Sequence, residues 1–514
     1  MRPECPNALL RQGDREGVSS TRMSRPMPGV KRLLRRGGKT VDRGAAICYS
    51  CHSEKLRYTD KGGEEHLTAQ EKRALYMQAY EAHRDEVDAR IAQGIEQNRK
   101  GWCKVRLTDR NGTPVAGRKL RLTQKSHDFK LGANIFMLDQ FDNAADNATY
   151  RALFKEHFNL ATVPFYWDGL EPEEGKLRFA KDSVPIYRRP APEACMEYCE
   201  QNGVEAKLHC LVYEHCLPQW VLRLPLETAK QKYEERFRQI AERYTGRLRE
   251  IEVINELLCE QGWGSSSLLS EQRDILEWAF GLARKYFPNE TLVINEGNDV
   301  IQQLARGDYR SPYFLMIENA LLKGVTIDRI GLQNHLFTGV SAHTPAEYER
   351  SVREGVYFND PLLYFKGLDV IATLGLPLEL TEATVPTFGD TPEDEALQAD
   401  MLRLWLSIWF SHPAVDTVVY WNMVDGHAAT QDANWVENNC RGGLWRHDLS
   451  PKPAALLLWE LFHRVWHTDV ELTTDADGCV EFRGFYGDYT ATGEDFTGAF
   501  GLHKGTAPVS TIVL

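Results

Sequence analysis

The chain has 514 residues, 42% hydrophobic and 10% aromatic, which suits one large domain with a smaller companion and excludes a wholly disordered protein. Sixty-one basic against 73 acidic residues leave a net charge of −12, so nucleic acid is not an expected partner. No run of about 18 apolar residues occurs, and no membrane-spanning helix or membrane partner is expected.

Residues 1–67 are basic, Gly-rich and aperiodic, and are expected to be disordered. Their start, MRPECPNALLRQGDREG, lacks an apolar signal core, so the chain as written reads as cytoplasmic, or as secreted or periplasmic if a leader has been removed. Cys48-Tyr49-Ser50-Cys51-His52 matches the c-type haem attachment pattern. The surrounding text is too polar to build a haem pocket, and one ligand pair is too few for zinc, so no cofactor or metal is expected. Eleven scattered cysteines make no disulfide framework.

Thr68 followed by Glu71 predicts a capping box, opening one helix that runs to about Asn98 through Leu75, Ala79, Ala82, Val87, Ile91 and Ile95. WCKVRLTD and GRKLRLTQ flank RNGTPVAG, whose Asn-Gly predicts a hairpin. The tail, VELTTDADGCVEFRGFYGDYTAT and STIVL, has the same alternating style. Neither end holds enough strands to stand alone, so residues 68–129 and 468–514 are expected to meet as one small β-sandwich.

Between residues 130 and 467 short apolar runs alternate with amphipathic helical stretches. KLHCLVY, EIEVINE, TLVINE, IDRIGLQNH, LPLELTE and VDTVVYW read as strands, and LETAKQKYEERFRQIAERY and DEALQADMLRLWLSIWFSH are among the helices. The alternation predicts an α/β fold, a (β/α)8 barrel with the β-sandwich appended. The strands end in polar residues: Tyr213-Glu214-His215, Asn255-Glu256, Asn295-Glu296, Gln333-Asn334-His335, Thr381-Glu382 and Tyr420-Trp421. In a barrel those ends converge on one mouth. Glu256 and Glu382 each close an apolar strand, and such a carboxylate pair is what glycoside hydrolysis needs. Tyr166, Trp167, Tyr213, Trp421, Trp435 and Trp445 are candidate stacking surfaces for sugars. His209, His215 and His335 lie on different strands, without a metal-site spacing.

IEVINE, IGLQNH, LELTEA, NLATVPFYWDGLEPEEGKLRF and LWRHDLSPKPAALLL, in that family's pattern from about 130 to 465, resemble glycoside hydrolase family 10, a family of retaining barrel xylanases. HDFKLGANIF and FRGFYGDYT resemble its flanking segments. The resemblance implies Glu256 as acid/base, Glu382 as nucleophile, Asn255 on the sugar 2-hydroxyl, and His335 orienting Glu382 with Gln333 in the same subsite. It also implies Trp421 beneath the reacting sugar and a monomer acting on a carbohydrate, xylan by family default. The motif departs at Val163 and Tyr166, where family members carry Asn and Lys, at Tyr213-Glu214, where they carry Trp-His, and at Ala429, where they carry Trp. Tyr166, Trp167, His209, Tyr213, Glu214 and Trp445 are therefore the expected substrate-binding residues that set the hydroxyl pattern. Beside the hydrolase stand two further readings, a barrel that binds carbohydrate without cleaving it and a β-glycosidase for another sugar.

Overall fold

The computed structural model describes residues 66–514 apart from 260–266, 298, 430–433 and 507–508; the leader with Cys48, Cys51 and His52 lies outside the described residues. Thr68 caps α1 (Ala69–Ala82), its hydroxyl accepting from the Glu71 N–H while the Glu71 carboxylate accepts from the Thr68 N–H. The helix does not continue to Asn98. His83 leaves helical geometry (φ −128°, ψ 20°), and α2 (Arg84–Asn98) starts beyond it. A straight helix of that length would span about 45 Å. The break lets Tyr76 and Met77 of α1 and Val87 of α2 all join the core around the barrel. Apolar spacing cannot reveal such a break, because both helices bury the same kind of stripe. Among the described residues no helix is long and apolar enough to cross a membrane.

The two ends do form two facing sheets, although the hairpin does not form. β1 (Lys100–Thr108) pairs with β12 (Cys479–Phe485) and β15 (Val509–Val513), whereas β2 (Lys119–Gln124) lies between β11 (Asp469–Thr473) and β13 (Gly487–Thr492), with β14 (Thr497–Leu502) outermost. The Asn-Gly turn is present, held by Asp109, whose carboxylate accepts from the N–H groups of Asn111 and Thr113 at 2.8 Å each. After it the chain crosses to the other sheet. Val105, Leu107 and Phe482 of one sheet then face Leu122, Tyr489 and Phe500 of the other in one small core. Two strands buried against each other through side chains exclude more water than the same two strands zipped into an isolated ribbon.

Eight parallel strands close the barrel between these ends: β3 (Lys130–Asn134), β4 (Leu160–Pro164), β5 (Glu205–His209), β6 (Glu250–Asn255), β7 (Thr291–Glu296), β8 (Arg329–His335), β9 (Leu378–Thr384) and β10 (Val415–Tyr420). They run in chain order around the ring, β10 closing on β3. Every residue of β6, β8 and β9 is buried, as expected for strands with helices outside and packed side chains inside. Two irregularities position the mouth. The β6–β7 register shifts between Glu252 and Ile254, and the β8–β9 register shifts between Leu332 and Gln333. Strict alternation would send the adjacent residues Thr381 and Glu382 to opposite faces; the shift lets both reach the same interior partner, Asn295.

Candidate active site

Glu256 follows β6 in a left-handed backbone conformation (φ 56°), a geometry uncommon for a residue with a side chain and concentrated at functional sites. Its N–H donates to the carbonyl of Asn295 at 3.1 Å, fixing that conformation. The Gln333 side-chain amide, Nε2, donates to Glu256 Oε1 at 2.8 Å and to Glu382 Oε1 at 3.0 Å. These two oxygens therefore stand no farther apart than two hydrogen bonds laid end to end. Tyr213 donates its hydroxyl to Glu256 Oε2 at 2.8 Å.

Glu382 is 5% exposed, and burial pushes its carboxyl well above the ordinary range. Donors surround it. Asn295 Nδ2 lies 3.2 Å from Oε1, and His335 Nε2 lies 3.1 Å from Oε2. Burial lowers the His335 imidazole to about 4, so the ring is neutral near pH 7. Its other nitrogen, Nδ1, is 2.8 Å from Thr384 Oγ1. An ionised Glu382 requires a donor, which places the proton on Nε2 and makes the Thr384 hydroxyl the donor to Nδ1.

Beneath these groups lies a buried charge cluster. Lys207 Nζ stands 2.6 Å from Glu379 and 3.3 Å from Glu252, all three essentially unexposed. Burial opposes charge on Glu252, but the cations of His209 and Lys207 prevail and its carboxyl is lowered. Burial likewise opposes protonation of His209, and the Glu252 charge overrides it. His209 bridges Glu252 and the Tyr166 hydroxyl at 2.8 Å on either side. Asn295 Nδ2 reaches Glu252 at 3.0 Å and Asn255 Oδ1 at 2.8 Å, so the cluster orients the same amide that serves Glu382.

The open cleft above is lined by Tyr166, His209, Tyr213, Asn255, Glu256, Gln333, His335, Glu382, Trp421 and Trp435, together with His215 and Ala429. Three predicted binding residues do not line it. Trp167 packs between Trp220 and Tyr233, with ring centroids at 5.6 and 4.6 Å, and donates to Glu171 at 2.9 Å. Trp445 is 1% exposed and meets His157 edge-on at 4.8 Å. Glu214 turns inward at 0% exposure, where the Tyr233 hydroxyl and the Ser267 N–H supply two donors at 2.9 and 2.8 Å. A carboxylate that finds two donors inside has no need of the cleft. Glu296, another strand-end acid, is likewise structural. It accepts from the N–H groups of Leu258 and Gly297 at 2.9 Å, steadying the segment after Glu256, and burial pushes its carboxyl up to about 7.

Residue patterns missed Asn295 and Glu252 as site members, and also Phe136, Arg188, Arg189, Phe337, Cys259 and Glu437 of the cleft wall. Asn295-Glu296 repeats the strand ending of Asn255-Glu256, a signal that pointed to the position. The arginines sit in an aperiodic connection and gave none. His209, Cys210 and Glu252 are the one His/Cys/Asp/Glu group among the described residues close enough to share an ion. The Lys207 ammonium against Glu252 and the direct His209–Glu252 bond oppose a cation there.

The chain thus forms a closed parallel barrel with two glutamates that share one amide at its C-terminal mouth. The chain belongs to glycosyl hydrolase family 10, whose model matches residues 124–460. Among curated proteins it is 25% identical over 403 residues to an anti-sigma-I factor of Acetivibrio thermocellus, covering 77% of this chain and 45% of that one. It is 26% identical over 429 residues to endo-1,4-beta-xylanase 2 of Arabidopsis thaliana, covering 81% and 35%. The chain thus spans less than half the length of either relative. Xylanase 10B from Thermotoga petrophila, solved with xylobiose, superposes at a TM-score of 0.51 with 20% identity, covering 66% of this chain and 95% of that one, a likeness of fold.

Proposed function

We propose that this protein is a retaining β-glycosidase acting on a β-1,4-linked plant-type polysaccharide or oligosaccharide of the xylan kind, with Glu382 as nucleophile and Glu256 as acid/base. The observation that carries the reading is the amide shared by the two carboxylates. It holds the two Oε1 atoms no farther apart than two hydrogen-bond lengths, which supports the ~5–5.5 Å spacing of retaining sites over the ~6.5–9.5 Å of inverting ones. Curated relatives named endo-1,4-beta-xylanases support the substrate class.

In this mechanism the Glu382 carboxylate attacks the anomeric carbon while the glycosidic C–O bond breaks and Glu256 gives its proton to the leaving oxygen. The proton belongs on Glu256 Oε2, because Oε1 faces an amide N–H that cannot accept, whereas the Tyr213 hydroxyl at Oε2 can reverse its role. Water then attacks the ester with Glu256 as base, freeing Glu382 and the sugar with its configuration retained. Neutral His335 orients the nucleophile without adding a positive charge beside a cationic transition state. Asn255 accepts through Oδ1 from Asn295, which leaves its Nδ2 to donate to a sugar hydroxyl.

Proton NMR of the first product formed from a β-1,4-xylo-oligosaccharide is expected to show the β-anomer before mutarotation; initial α-anomer removes the double displacement. The pH profile gives a second check. The nucleophile must be ionised and burial raises its pKa, so kcat/KM falls on the acid side at a pH well above the ~4.3 of an ordinary glutamate. An acid limb at or below that value contradicts the role of Glu382. The relative named as an anti-sigma-I factor rather than as a hydrolase supports a second reading, a barrel that binds carbohydrate without turnover. Such a barrel releases no chromophore from any aryl β-glycoside.

A further inference from the structure

Two adjacent arginines, Arg188 and Arg189, stand in the wall of the cleft at 4% and 9% exposure. Buried guanidinium groups are ordinarily matched by carboxylates, because the cation otherwise loses hydration without return. Here Arg188 Nη1 donates to the carbonyl of His427 at 2.6 Å and Arg189 Nη1 to that of Arg188 at 3.1 Å; neither forms an ion pair among the described residues. The neighbouring acids, Glu437 near Arg188 and Asp168 near Arg189, offset these charges only in part and without a direct ion pair to either. Glu437 accepts from Asn422 at 2.7 Å, and Asp168 Oδ1 is buried without a hydrogen-bond partner. Burial pulls the Arg188 guanidinium down, only partly offset by the Glu437 charge, yet arginine stays protonated at any working pH. Beyond these bonds and a contact of Arg189 with the Cys216 thiol, each fork keeps N–H groups unmatched among the described residues.

The pair is held in place by specific features. Arg188 adopts a left-handed backbone (φ 57°), which a side-chain-bearing residue seldom does. A Cβ on Gly169 would meet Arg189 Cδ at 2.9 Å and Cγ at 3.0 Å, so the absence of a side chain there lets the Arg189 stem pass. The Arg189 guanidinium then lies over the Tyr166 ring, 3.9 Å from its centroid, and that of Arg188 lies 5.3 Å from the centroid of Phe136. Phe136 in turn meets Trp421 edge-on at 5.2 Å. Both guanidinium groups lie within 5.9 Å of the Phe136 centroid, and a guanidinium fork matches the geometry of a carboxylate.

We infer that Arg188 and Arg189 form an anion-recognising subsite, and that the substrate carries a carboxylate, as a uronate does, on a sugar at the Trp421–Tyr166 side of the cleft. This rests on the glycosidase reading above.

The test uses the full chain and two matched xylo-oligosaccharides, one with a glucuronate branch and one with that carboxyl reduced to an alcohol. At low salt kcat/KM is expected to favour the uronate by about 10-fold or more, as for charge-assisted hydrogen bonds, and the preference should narrow as salt is raised. Arg188→Met/Arg189→Met should bring the ratio close to one. Gly169→Ala, which keeps both charges but displaces the Arg189 stem, should reduce it, while Arg189→Lys should retain part. Equal rates on the two oligosaccharides with the unmodified protein overturn the inference. If neither is cleaved, the hydrolase reading has failed separately, and calorimetry with the same pair decides the subsite. Tighter binding of the uronate supports it and equal affinity overturns it.

Discussion

Glu382→Gln is expected to lower kcat/KM on every substrate the protein cleaves by about 10⁴-fold or more, the scale seen when a covalent nucleophile is removed. The exchange is nearly isosteric. The new amide oxygen can still accept from Gln333 and Asn295, which now bond Glu382 Oε1 at 3.0 and 3.2 Å. His335, neutral, can reverse its proton between Thr384 and residue 382, so the fold is expected to survive. Only the capacity to form an ester is lost. Adding azide to Glu382→Gly sharpens the assignment. A small anion occupying the vacated space attacks the same carbon once, giving a glycosyl azide of inverted configuration. Glu256→Ala with azide should give the retained azide instead, because there the enzyme ester still forms. Near-normal turnover in Glu382→Gln would remove this carboxylate from the chemistry.

Lys207→Met should cost about 3–5 kcal/mol of stability near neutral pH, read from the denaturant unfolding midpoint, because it removes the ammonium that two buried acids share. Glu379 shows how marginal the balance is. Burial and the charge of Glu250 already push it up to about 8, with Lys207 pulling the other way. Without the ammonium Glu379 would favour its protonated form in the folded state, while Glu252 would keep only the His209 charge. The penalty is therefore present above the unfolded carboxyl pKa of ~4.3 and shrinks as the pH falls toward it. Adding Glu379→Gln should recover part of the loss, a coupling that a double-mutant cycle reads directly. A single variant that loses under about 1 kcal/mol would mean the cluster is not ionised. Activity should fall as well, since Glu252 orients both His209 and Asn295.

Which residues reach the cleft could be read from the sequence wherever a polar side chain ends an apolar strand. Glu256, Gln333, His335, Glu382 and Trp421 all satisfy that rule and all line it. The rule over-reaches at Glu214 and Glu296, whose strand ends look the same. Each finds backbone N–H donors from a neighbouring connection, Ser267 for one and Leu258 and Gly297 for the other. It under-reaches at Arg188 and Arg189, which belong to no periodic element and are brought to the wall by their contacts with His427, Tyr166 and Phe136.

The sequence by itself determined the alternation of strand and helix, the capping box at Thr68, the polar strand ends and the partnership of the β-segments that flank the barrel. These depend on neighbouring residues or on a repeat that every copy of the pattern obeys. Tertiary structure alone decided the break at His83, the separation of β1 from β2 into opposite sheets, and the register shifts that turn Thr381 and Glu382 to one amide. It also decided which buried acids received donors from elsewhere in the chain. The reason is that hydrogen bonding and burial are satisfied by whatever the fold brings near, and a partner 50 or 100 residues away leaves no mark on the local pattern.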